Sequence, residues 1–366
     1  MKKQLMICLL AIAVAAVIAV RSTEPNCGLL RGHSHEVFTL AFAPDGKTLV
    51  SGSGDFRMDA DTEQLQEYGE LKFWDMGLRT ESSAINSDAR FWAAAFSPDG
   101  RWAVTGGGVH GMRAGRIQVW DWRRKKQIAA VTQEWLVQSL AISPDGRRLA
   151  TVSYGSQATL WDLPNLENPV VLDGHTDDVK SVAFSPDGWL VATGSWDGTV
   201  KLWETETARC VRTLQLDGEL TAVAAVAFSP DGTRVVAGSG AVDRREANCR
   251  GAVTSWEAST GRHIVSLPHE ECVTALAFLP DDHTLAAGSR DGDVKLWDFR
   301  TGQELSTLSH AGPIEAIAIS PDGQLMATAG RERECAIRLW NLPQVLGDHS
   351  RVPQTATLVS GGKERL

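Results

Sequence analysis

The chain runs to 366 residues, 43% of them hydrophobic, enough to bury one large core or two modest ones. A formal net charge of -9 and a pI near 5.5 argue against a surface built to collect phosphates, because nucleic-acid binders concentrate positive charge to displace counterions. No nucleic-acid partner is expected, and the one basic run, Arg123-Arg124-Lys125-Lys126, reads as a solvated turn.

The N-terminus comes first and differs in kind from the rest: Lys2 and Lys3, then residues 5–20 without a charge, then Arg21. A terminal segment that is uniformly apolar and lacks an amphipathic stripe reads as an N-terminal apolar helix that exports the chain. It is longer than the signal-peptide core of about 7 to 15 residues and shorter than the ~20 that span a bilayer. Cleavage near Val17-Ile18-Ala19 and retention as a single membrane anchor therefore both stay open. Either outcome places the residues after Arg21 outside the cytoplasm, secreted or anchored, with membrane contact through residues 5–20 only. Residues 21–27 then form a linker and 28–366 one domain. Cys8 lies in the apolar segment. Cys27, Cys210, Cys249, Cys272 and Cys335 are few, scattered and odd in number, which fits neither a disulfide framework nor a Cys-x-x-Cys zinc site.

Beyond the linker the chain repeats itself. A Pro-Asp-Gly-like turn recurs at Pro44, Pro98, Pro144, Pro186, Pro230, Pro280 and Pro321, each followed by a second marker: Trp74-Asp75, Trp120-Asp121, Trp161-Asp162, Trp203-Glu204, Trp256-Glu257, Trp297-Asp298 and Trp340-Asn341. The two series interleave without a miss. Between markers, short runs such as Val179 to Phe184, Leu190 to Ser195 and Thr199 to Trp203 alternate with turns. Pro presets φ in those turns and Gly tolerates positive φ, so the runs are strands. A fourth strand such as Cys210 to Leu214 completes each unit. Four strands per ~40–45 residues, seven times over, is the period of an all-β, seven-bladed β-propeller of four-stranded antiparallel blades.

These markers resemble those of the WD-repeat (Trp-Asp) β-propeller family, from about Gly28 to Val359. The resemblance implies a hydrogen-bonded tetrad bracing each blade, complete only in the fourth unit as His175, Thr193 (or Ser195), Asp197 and Trp203. His33, His269 and His310 repeat the histidine, whereas Ser87, Gln133 and Glu219 stand there in the second, third and fifth units, whose bracing should be weaker. Residues 28–31 and 355–359 compete for the strand that closes the ring, and the family's pattern favours the N-terminal one.

The sequence holds no nucleophile elbow, metal-binding helix or phosphate loop. Gly106-Gly107-Gly108 lacks a following Lys-Ser/Thr and reads as a loop. Asp59, Asp61, Glu63 and Glu70 have partial calcium-loop spacing, but Gln64 replaces the Gly of the sharp turn. A solvated loop, or a short helix through Tyr68, is the plainer reading of that insertion. No metal, cofactor or catalytic residue is assigned.

The inner strands begin with Phe38, Trp92, Gln138, Lys180, Ala224, Thr274 and Glu315, a rim suited to contact. Trp74 follows Pro44 by about 30 residues but Trp161 follows Pro144 by about 17; units one, two, five and seven carry the excess, on the top face by resemblance, and the neighbouring units seven, one and two should build a crest there that leaves blades three and four open. Trp92, Trp135, Tyr154, Lys180, Trp196 and Arg290 are the partner-binding candidates, the alternative being that the rings pack under neighbouring loops. The expectation is an extracytoplasmic, monomeric scaffold that holds a protein or peptide on its top face. The alternative is a propeller enzyme or ligand-binding protein with residues scattered around the central opening.

Overall fold

A computed structural model describes residues 27–58, 65–109, 115–216, 222–240, 250–331 and 335–347. They form seven four-stranded antiparallel sheets. The fourth blade shows the plan, with strands Val179–Phe184, Leu190–Ser195, Thr199–Glu204 and Cys210–Gln215 from the channel outward. Turn chemistry fixes the first hairpin: Ser185 Oγ donates to Asp187 Oδ1 (2.6 Å), and Gly188, at φ 75°, returns its N–H to the Ser185 carbonyl. Only Gly adopts that φ without cost. In the sixth blade Asp282 takes the place at φ 65°, which its short polar side chain tolerates.

The core is distributed between blades. Ala150, Val152 and Leu160 of the third blade pack against Val182, Val191 and Trp203 of the fourth, and such shared clusters recur around the ring. Burying each Val or Leu contributes about 1.5 to 3 kcal/mol. Hydroxyls on the inner strands add cross-blade bonds, as where Thr39 Oγ1 accepts from Ala94 N and Ser181 Oγ from Val226 N, both at 3.0 Å.

The ring closes with Cys27–Leu30, which pairs with Ile337–Asn341 from Cys27↔Trp340 to Leu30↔Ile337. Closure thus uses the N-terminal strand, and the last residue of the expected linker, Cys27, belongs to the sheet. The expected N-terminal helix and the rival strand at 355–359 lie outside the described residues. Among the described residues no helix is long and apolar enough to cross a membrane. The helix Leu342–Leu346 ends the last blade, with Asn341 as N-cap accepting from Gln344 N at 3.1 Å.

Two expectations fail. Gly106, Gly107 and Gly108 lie in the strand Ala103–Gly108, not in a loop; a Cβ on Gly107 would run into the Arg90 carbonyl, and one on Gly106 into Val137. Close strand approach, not a turn, is what requires them. The insertion of the first unit is no short-helix loop either: Thr48–Met58 and Leu65–Asp75 pair in one long hairpin as far as Met58↔Leu65. Asp59, Asp61 and Glu63 lie outside the described residues.

The turns between second and third strands meet the connections into the inner strands on one face, the top, as where Trp196 N donates to the Asp178 carbonyl and Val179 N to that of Gly155, both at 2.9 Å. The Pro-Asp-Gly hairpins occupy the bottom. Phe38, Trp92, Gln138, Lys180, Ala224, Thr274 and Glu315 line a central channel of about 230 Å³.

Candidate functional site

The braces come first, because they hold the top-face loops. In the fourth blade Trp203 Nε1 donates to Thr193 Oγ1 (2.8 Å), which lies 2.8 Å from His175 Nε2, and His175 Nδ1 lies 2.8 Å from Asp197 Oδ2. Asp197 is an acceptor only, so the proton on His175 is at Nδ1 and Thr193 donates to Nε2. Every donor then has an acceptor. Ser195 is engaged elsewhere, donating to the Asp177 carbonyl at 3.0 Å.

The first blade builds the same chain from Trp74, Ser51 and His33, at 2.7 and 2.6 Å, and ends it on Glu70, at 3.1 Å. Leu71 opposes Gly52 as Val200 opposes Gly194, so Glu70 reaches the histidine from the register position of Thr199. Donors from His33 and Ser34 hold its carboxyl down to about 2. Glu70 is thus committed to the brace and is not the twelfth position of a calcium loop. A signal was present in the sequence: Glu70 precedes Trp74 by the interval that separates Thr199 from Trp203.

Elsewhere the hydroxyl link recurs. Thr328 bonds His310 and Trp340 in the seventh blade, both at 2.7 Å. Without a histidine, Trp120 still donates to Thr105 and Trp161 to Thr151, both at 2.9 Å, and Gln133 reaches Ser153. Blades two and three therefore keep the tryptophan half of the brace.

Ser51, His33 and Glu70 stand in the order of a catalytic triad. Ser51 is 0% exposed, however, and its oxygen accepts the Trp74 indole proton. A nucleophile must reach substrate with a free lone pair, and this serine is a structural bridge.

The third and fourth blades bring three of the partner-binding candidates together. Lys180 Nζ lies 3.8 Å from the centroid of the Trp196 ring and 4.7 Å from that of Tyr154, an ammonium held between two π faces. Asp178 Oδ2 and Gln138 Oε1 accept from it at 3.1 Å each, and Asp178 Oδ1 also takes the Gly155 N–H at 2.9 Å. Burial lowers the Lys180 pKa, opposed by Asp178, and raises that of Tyr154. Neither ring is the bare anchor its place in the repeat suggested, since each gives a face to Lys180.

Trp135, 41% exposed, stands on the same sector. Trp92 stacks on Phe38 at 4.3 Å between centroids, and its Nε1 is buried without a hydrogen-bond partner among the described residues. Arg290 does not join them: it stands on the sixth blade, where its charge and an Arg331 bond of 2.6 Å oppose the burial that raises the Glu315 pKa. Over the first and second blades a hollow of about 480 Å³ has His35, Phe56, Arg90 and Trp92 among its walls. Arg90 lies over the Phe56 ring at 4.9 Å and beside buried Glu67 at 3.5 Å. Of the expected crest, this hairpin is the described part.

The family described as WD domain, G-beta repeat, matches the chain at residues 25–58, 83–121, 126–162, 167–204, 208–245, 261–298 and 302–341. The chain belongs to the WD-repeat β-propeller family. Members are generally non-enzymatic scaffolds that commonly bind proteins. Each match starts with one blade's outer strand and runs on into the next blade, through its third strand in five of the seven and through its second at 25–58 and 208–245, the same offset by which the first strand completes the last blade. A search of curated proteins gives no match.

Proposed function

We propose that this propeller is an extracytoplasmic scaffold that holds a protein or peptide partner on its top face and acts by contact, not by chemistry. The observation that carries this reading is the Tyr154–Lys180–Trp196 stack at the channel mouth, beside exposed Trp135. These side chains are fixed before any partner arrives, and a preorganised aromatic surface loses little entropy on binding. The apolar run at residues 5–20 supports the address, whether the segment is cleaved or kept as an anchor.

The test uses random dodecapeptides selected on the purified propeller. Replacing Tyr154 and Trp196 together by Ala should weaken the selected peptides by tenfold or more, since anchors of this kind account for ~2 kcal/mol each. Trp189→Ala on the bottom face, where the ring is 71% exposed, should leave them bound. The reverse pattern rejects the top face. Protease added outside intact cells should digest the propeller; protection there rejects the address alone.

A further inference from the structure

Resting on that reading, we propose that the top face selects an acidic side chain: a glutamate of the partner enters the channel mouth at the second to fourth blades and receives hydrogen bonds from Trp92 Nε1, Gln138 Nε2 and Lys180 Nζ.

The argument is a count of donors and acceptors. Lys180 only donates, so the Gln138 oxygen turns toward it at 3.1 Å and the Gln138 Nε2 turns away. That Nε2 is buried with no hydrogen-bond partner among the described residues, as is Trp92 Nε1. Trp92 is stacked on Phe38 at an interplanar angle of 17°, so its indole cannot swing aside without giving up that contact. Trp92, Gln138 and Lys180 line the same channel.

The neighbouring carboxylates take other donors. Asp178 takes Lys180 Nζ and the Gly155 N–H, and Glu315, across the channel, is held by Arg331. A buried donor without an acceptor is destabilising, and at these two nitrogens no acceptor among the described residues is in place. A carboxylate brings two oxygens that accept about four bonds.

Charge points the same way. With the Tyr154 and Trp196 rings facing Lys180, a cationic side chain would meet an ammonium where the rings would otherwise cage it. Burial penalises the Lys180 charge and Asp178, at 3.1 Å, offsets only part of that penalty, so an incoming anion relieves what remains. The donors stand on the inner strands, below the turns that carry Tyr154 and Trp196. Of the two acids, glutamate has the longer side chain, which suits a carboxylate that descends to the inner strands while the backbone stays on the top face.

The experiment takes the dodecapeptides selected on the full chain and exchanges each acid for its amide, one at a time, and separately amidates the C-terminus. One Glu→Gln exchange should raise Kd about tenfold to a hundredfold, as charge-assisted bonds are the strong ones, with amidation changing it less than about twofold. In Lys180→Met or Trp92→Phe protein, with unchanged melting temperature, the same exchange should cost less than about threefold. The Trp92 indole proton, assigned from Trp92→Phe, should move downfield with the Glu peptide and not with its Gln twin, a readout that needs no variant to bind. Peptides that depend on Tyr154 and Trp196 but ignore every acid-to-amide exchange overturn this inference and leave the scaffold reading standing. Dependence on the terminal carboxylate instead also overturns it. Selection of no peptide that depends on those rings overturns both.

Discussion

The fourth and sixth blades carry the same histidine and the same tryptophan, and they end in different hydrogen-bond chains. In the fourth, Thr193 stands opposite Lys201 and separates His175 from Trp203. In the sixth, Ala287 occupies that register opposite Lys295, so Trp297 Nε1 donates straight to His269 Nε2 at 3.2 Å. That bond places the His269 proton on Nδ1, which is buried without a hydrogen-bond partner among the described residues. Asp291 instead accepts from Ser289 Oγ at 2.6 Å. A single hydroxyl therefore decides whether the tryptophan reaches the histidine through a link or directly, and the commitment of Asp291 to Ser289 leaves His269 as the end of its chain.

The largest test of this difference is pH. Burial first, and Lys295 second, hold His269 down to about 4 from its ordinary 6.5. The unfolded chain binds the proton and the folded chain does not. This stability is thus fully present above pH 6.5 and lost as pH falls toward 4, a change on the order of 3 kcal/mol. Burial also lowers His175, but there Asp197 opposes it. His269→Gln should flatten the stability slope between pH 6.5 and 4 more than His175→Gln does, read from urea midpoints at each pH. Equal slopes in the two variants would erase the distinction between the blades.

Next in size is truncation at neutral pH. His175→Ala leaves Asp197 and Thr193 each short of a partner and should cost about 2 kcal/mol. His269→Ala removes a ring with one good bond and one unmet donor, and should cost about 1 kcal/mol less. Ser87→Ala, at the histidine's place in the second blade, should stay within about 0.5 kcal/mol, because Trp120 still has Thr105. Identical urea midpoints for the three variants would show that the brace does not bear on stability.

The fold was legible because its signals are local. Pro-Asp-Gly sets a turn wherever it falls, and Trp marks the third strand, so blade number and strand order followed from spacing. What escaped depended on neighbours. Gly106-Gly107-Gly108 has the composition of a loop, and only the nearness of Arg90 and Val137 makes it a strand. Glu70 looked like part of an acidic insertion, because the hairpin pairing that carries it to His33 runs across residues with no β signature. Lys180, Tyr154 and Trp196 were placed on one sector by the phase of the repeat. That two rings would face one ammonium is set by the distance between blades, which no spacing in the chain records. Arg290 has the same phase and sits on the wrong side of the channel.

The smallest effect is also the most direct test of the hydroxyl: Ala287→Thr should give the sixth blade its missing link. Ala287 is fully buried, so the added atoms must find room, and overpacking a core costs about 1 to 3 kcal/mol when it cannot yield. The seventh blade shows that little room is needed. His310 and Trp340 lie 5.9 Å apart with Thr328 bonded to both, against 5.8 Å for His269 and Trp297. The introduced hydroxyl would accept from Trp297 and donate to His269 Nε2, a net gain of about 1 kcal/mol. Ala287→Val adds similar volume without the oxygen and should fall below wild type, so the gap between the two variants isolates the bond. His269 Nδ1 gains nothing from either change, and the acid lability between pH 6.5 and 4 should persist in both. If the valine variant matches the threonine variant in urea, packing and not the absent hydroxyl separates the sixth blade from the fourth.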